Sequence, residues 1–172
     1  MTSATVERAY LVRGKTSRAL VNYMDEFPFA GDSGPTAANI RPRFDMSVET
    51  RESGGICRPV DIDLSIRFTL TLPAAADERW MDRRTRALWK SFADYAKRHE
   101  MRHKEIYLSC ARSFLAKAGK LSAAGCFALR RAIDELKKSE DERCRKRHEA
   151  FDRSELKRIL RLPIYADSRK TK

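Results

Sequence analysis

Val60, Ile62, Leu64, Ile66, Phe68, Leu70 and Leu72 fall on one side of a period of two, and Asp61, Asp63, Ser65, Arg67, Thr69 and Thr71 on the other. Successive side chains of a strand point to opposite faces, so this run predicts a long antiparallel strand with one wet face, ended by Pro73. Phe44, Met46 and Val48 alternate in the same way with Arg43, Asp45, Ser47 and Glu49, and Ser53-Gly54-Gly55 then marks a turn. Nearer the N-terminus, Tyr10-Leu11-Val12 reads as a short strand closed by Gly14. Thr16 or Ser17 can cap a helix carrying Leu20, Val21 and Met24. Two prolines and two glycines predict a loop over Phe27 to Pro35.

After Pro73 the period changes. Leu88, Phe92, Tyr95, His99, His103, Ile106, Cys110 and Phe114 follow one another at steps of three or four, an unbroken stripe along one face of a helix. The helix is expected from about Asp82 to Ala118, with Gly119 as its stop. Ser122 or a neighbour starts a second long helix with Phe127, Leu129, Ile133 and Leu136 as its apolar members. That helix becomes highly charged and runs, whole or broken, towards Leu162-Pro163. The tail after Tyr165 is expected to be disordered.

The stripe contains His99-Glu100-Met101-Arg102-His103, an HExxH sequence. Residues four apart share a helical face, so both imidazoles can reach one Zn²⁺. Glu100 is angled off the pair, where a carboxylate can take a proton from an activated water rather than bind the metal. HExxH on the apolar face of a helix that follows a β-sheet is the organisation of a zincin. The expected fold class is therefore α+β: an N-terminal antiparallel sheet or hairpin with one helix, then a long HExxH helix and a charged C-terminal helix. A single zincin-like domain is expected over 1–172, with 1–73 mainly β, 74–165 mainly helical and 166–172 a tail. In such a cleft an edge strand can pair with an extended peptide; the long strand or its hairpin partner is the candidate.

Charge sharpens this picture in one place. The formal net charge of +12 is nearly all C-terminal: Lys97 to Lys172 holds 22 Lys plus Arg against 11 Asp plus Glu, the remainder 14 against 13. A basic half can meet an anionic envelope polymer or an acidic protein. The carboxylates interspersed from Asp134 to Glu155 favour a solvated helical face instead. A specific DNA reader is not expected, because no recognition motif or aromatic platform accompanies the basic residues. No run of about 18 apolar residues is present, so no membrane span is expected. Met1 to Tyr10 holds no apolar h-region of the kind a signal peptide needs. Cys57, Cys110, Cys126 and Cys144 form no CxxC pair; they allow two disulfides in any of three connectivities, or free thiols.

Several residues resemble a bacterial family of uncharacterised predicted secreted zinc-dependent proteases. They are Tyr10-Leu11-Val12-Arg13-Gly14 followed by Thr16, the Gly34-Pro35 pair, Cys57 before the long strand, the Thr71-Leu72-Pro73 exit, Trp89 ten residues before the motif, and His99-Glu100 with His103. The resemblance covers most of the chain. It implies that His99 and His103 bind zinc, that Glu100 is the general base, and that the protein is periplasmic or secreted. A catalytic zinc needs a third protein ligand. The family often carries an aromatic-Asp pair followed by His-Gly; Phe151-Asp152 is similar to the pair, but Leu156, Lys157 and Arg158 stand where His and Gly would follow. His148 or Asp152 could supply the third ligand, as could Glu149 or Glu155. Tyr107, His148 or an arginine could stabilise an oxyanion. The expected function is a zinc metallopeptidase acting on a peptide or protein substrate. The alternative is an inactive zincin-like module whose basic helices bind an anionic polymer or a partner protein.

Overall fold

The computed structural model describes residues 1–31 and 34–170. In chain order it runs β1 (Thr2–Val12), α1 (Ser17–Glu26), β2 (Phe29–Gly31), β3 (Gly34–Thr36), β4 (Asn39–Ser53), β5 (Ile56–Ala75), α2 (Arg83–Ala118), β6 (Ala123–Ala124), α3 (Cys126–Ile159) and α4 (Pro163–Ser168). The class is α+β, as the patterning predicts.

The sheet has the order β1-β5-β4, with β6 also paired to β5. β4 and β5 are joined by Gly54-Gly55, whose φ values of +57° and +74° suit a two-residue hairpin turn and are reached by glycine without strain. Ala76 N–H donates to Val12 O at 2.9 Å, so the C-terminal ends of β1 and β5 lie side by side. β1 thus joins in parallel, and the sheet is mixed rather than purely antiparallel. The long strand β5 is flanked on both sides; its hairpin partner β4 is an edge.

Two other expectations change. Over Phe27–Pro35, β2 and β3 pair antiparallel with Phe29 opposite Thr36; Asp32 and Ser33 lie outside the described residues. Beyond Tyr165, where a disordered tail is expected, α4 continues to Ser168; Thr171 and Lys172 lie outside the described residues. Pro163 at its first turn suits a helix start, and Ile164 is buried. Asp167 fixes the segment: its carboxylate accepts from Ser17 Oγ at 2.9 Å and Arg84 Nη2 at 2.8 Å.

The chain divides into two compact units. One comprises Thr5–Arg41, Phe68–Arg102 and Asp152–Lys172. Its core gathers Val12, Leu20, Val21, Met81, Trp89, Phe92, Leu162 and Ile164. Thr16 caps α1 by accepting from Ala19 N–H at 3.2 Å, and Asp82 caps α2 by accepting from Thr85 N–H at 2.7 Å. The other comprises Met1–Ala4, Pro42–Arg67 and His103–Phe151. It is cross-linked by Cys57–Cys126 and Cys110–Cys144, one of the three connectivities the sequence allows. β6 pairs with the start of β5 in the register Cys57↔Ala123, which carries Cys126 to Cys57. Cys57, Phe114, Ala118, Leu129 and Ile133 form the core beneath.

Candidate metal centre

α2 begins at Arg83, one residue after the expected Asp82, and ends at the expected Ala118, so the HExxH sequence lies well inside a continuous helix. Its deepest stripe in the first unit is Thr85, Trp89, Phe92, Ala96 and Glu100, at steps of four, three, four and four. Glu100 is only 6% exposed, whereas His99 and His103 are half-buried on the shoulder of that stripe. The motif is therefore turned relative to the expected stripe, and the carboxylate, not the imidazoles, is the innermost group.

A buried carboxylate resists ionisation. Burial pushes the Glu100 pKa up to about 7; the Ile40 backbone N–H bonded to it pulls it down, and the charge of Asp152 pushes it up. Ile40 is the second residue of β4, so the start of that strand meets the centre of the motif. No sequence signal points to that contact, since the donor is a backbone group sixty residues away.

His99 Nε2 stands 3.3 Å from Asp152 Oδ1. Burial lowers the imidazole's pKa, against the opposing pull of Asp152 and Glu155, which favours the neutral ring that a metal requires. The neighbouring carboxylate is already committed. Glu155 accepts from Tyr95 Oη at 2.8 Å and pairs with Arg158 at 3.2 Å. Burial and that hydrogen bond push the Tyr95 pKa up, so the phenol keeps its proton. Glu149, the other carboxylate candidate, is ion-paired with Arg145.

In the second unit His103 Nδ1 and His148 Nδ1 are 2.7 Å apart, a hydrogen-bond length in which one ring donates and the other accepts. Their rings stack at 5.0 Å between centroids, Phe151 meets His103 edge-on, and Tyr107 lies 4.1 Å from the His148 ring. His148 and Asp152 are four residues apart on α3, as His99 and His103 are on α2.

The two candidates for third ligand thus differ in kind. Zn–N and Zn–O bonds of about 2.0–2.1 Å put neighbouring ligand atoms of a tetrahedral site about 3.3 Å apart. The His99–Asp152 separation is that of a hydrogen-bonded pair and also fits such an edge. The His103–His148 separation is too short for one and fits the hydrogen bond by which a ligating imidazole is oriented through its other nitrogen. Glu52, Cys57 and Cys126 also bring metal-type donor atoms within 4.8 Å of one another, but the two sulfurs are bonded to each other and not available to a metal.

The family described as "Bacterial protein of unknown function (DUF922)" matches residues 7–158. The chain belongs to that family. The DUF922 match takes in His99, Glu100, His103, His148 and Asp152 and all four disulfide-bonded cysteines, and stops short of α4. No curated protein matches the chain, and no solved structure does.

Proposed function

We propose that this DUF922 protein is a zinc-dependent peptidase, with His99, His103 and Asp152 as the metal ligands and Glu100 as general base. The observation that carries the reading is the His99 Nε2–Asp152 Oδ1 pair at 3.3 Å beside a carboxylate only 6% exposed, all in an HExxH context. Paired imidazole and carboxylate oxygen are ordinary zinc donors. When bound, zinc supplies the Lewis acidity that activates water and polarises a scissile carbonyl.

The chain's own residues do the rest. Glu100, buried and held by the Ile40 N–H, would accept a proton from the attacking water and return it to the leaving amine. His148 holds His103 through Nδ1, the kind of contact that orients a ligating imidazole. Glu155, bound by Tyr95, stiffens α3 one turn beyond Asp152. Among the described residues β4 is an outer strand of the sheet, on which an extended peptide substrate can add as a strand. Two disulfides support a periplasmic or secreted setting, since such bonds persist in oxidising compartments.

The basic helices give less support to an inactive polymer-binding module. On α3, Arg131, Lys137, Arg143, Arg145, Lys146 and Arg158 are each paired with a carboxylate of the same helix. For the peptidase, Glu100→Gln keeps the shape and removes the base. We expect it to retain zinc and to lose peptide hydrolysis by at least a hundredfold. Turnover preserved in that variant would remove Glu100 from the chemistry.

A further inference from the structure

Trp80 is 60% exposed, although it sits on a fixed turn. The short 3₁₀ helix Glu78–Trp80 is followed by buried Met81 and preceded by Asp77, whose carboxylate accepts from Gly14 N–H at 3.0 Å. That bond ties the 13–16 loop to the turn and brings Lys15 to the indole. Lys15 Nζ lies 5.9 Å from the ring centroid and the Arg79 guanidinium carbon 4.9 Å. A large apolar ring held in water by a rigid backbone, with two cations over it, is not explained by the core or by the metal centre.

We propose that Trp80, Lys15 and Arg79 form a docking point for the surface of an anionic lipid bilayer. Three features select that occupant. The two cations over the ring, at 5.9 and 4.9 Å from its centroid, compete with the stacking of a sugar or a nucleobase. An indole with an apolar edge and a polar N–H suits the bilayer interface, and the two cations suit its phosphates. The net charge of +12, nearly all of it carried by Lys97 to Lys172, favours the approach of the protein as a whole to an anionic surface. No helix among the described residues is long and apolar enough to cross a membrane.

The full chain is mixed with vesicles of phosphatidylglycerol and phosphatidylcholine in equal parts, or of phosphatidylcholine alone, and followed by co-sedimentation and tryptophan emission. The only other tryptophan, Trp89, is 4% exposed and serves as an internal constant. The expected result is binding to the anionic vesicles with a blue shift that disappears in Trp80→Phe. Lys15→Gln and Arg79→Gln should each lower the partition about fivefold, and added salt should weaken it. Failure to bind anionic vesicles, or binding unchanged in all three variants, would overturn the proposal. So would a shift produced by a soluble acidic polysaccharide and not by vesicles, which would make the occupant a polymer. These side chains lie at the surface, so a circular dichroism spectrum matching the wild type confirms that each variant is folded.

Discussion

Asp152 and His148 show how little side-chain chemistry alone distinguishes two roles. Both are zinc-type donors, both lie on α3, and the sequence leaves them level; we take the 3.3 Å approach of Asp152 to His99 as that of a ligand and the 2.7 Å approach of His148 to His103 as that of a support. Tyr10 offers an independent check on the interior. Its hydroxyl donates to Ala37 O at 2.8 Å, and burial, with a smaller contribution from Tyr165, pushes its pKa up to about 12 from 10. The folded state therefore favours the protonated phenol. Stability from this group is fully present below pH 10 and is lost as the pH rises towards 12, by roughly 2–3 kcal/mol in all. Denaturant unfolding from pH 9 to pH 12 should show that loss in the wild type and a correspondingly smaller loss in Tyr10→Phe; parallel profiles would mean that Tyr10 ionises freely in the native protein.

α3 is where reading by hydrophobic period runs out. Cys126, Leu129, Ile133, Leu136, Glu140, Cys144, His148 and Phe151 form one inward stripe at steps of three or four. From Glu140 onwards two of its four members, Glu140 and His148, are polar, so the stripe fades in an apolar count although the geometry continues. Glu140 is buried against Ser113 and Lys117, which satisfy its carboxylate. Phe127 misleads in the opposite sense: it looks like a core residue, but the disulfide at Cys126 sets the helix phase and leaves Phe127 77% exposed. Leu129→Ala should cost about 2–5 kcal/mol and Phe127→Ser less than about 0.5 kcal/mol, measured by chemical denaturation; equal costs would put the helix in a different phase. α2, the β4–β5 hairpin and the α1 cap were legible because their periods and turn residues are local. The parallel joining of β1, the Ile40 contact with Glu100 and the cysteine pairing are long-range, and no local pattern encodes them.

The disulfides close loops of 34 and 69 residues, both in the unit that holds His103 and His148. By loop-closure entropy each contributes roughly 4 kcal/mol, so Cys57→Ser/Cys126→Ser and Cys110→Ser/Cys144→Ser should each lower unfolding free energy by about that much. A reductant that leaves the unfolding midpoint where it was would argue for thiols in the native protein and against an oxidising compartment. The peptidase reading itself stands or falls on the metal. Metal content should be measured by elemental mass spectrometry on zinc-reconstituted wild type, His103→Ala, Asp152→Ala and His148→Ala. We predict one zinc per chain in the wild type, none in His103→Ala or Asp152→Ala, and zinc bound about 10–100-fold more weakly in His148→Ala. Zinc lost from His148→Ala and kept in Asp152→Ala would exchange their roles, and a wild type that takes up no zinc would contradict the metal centre altogether.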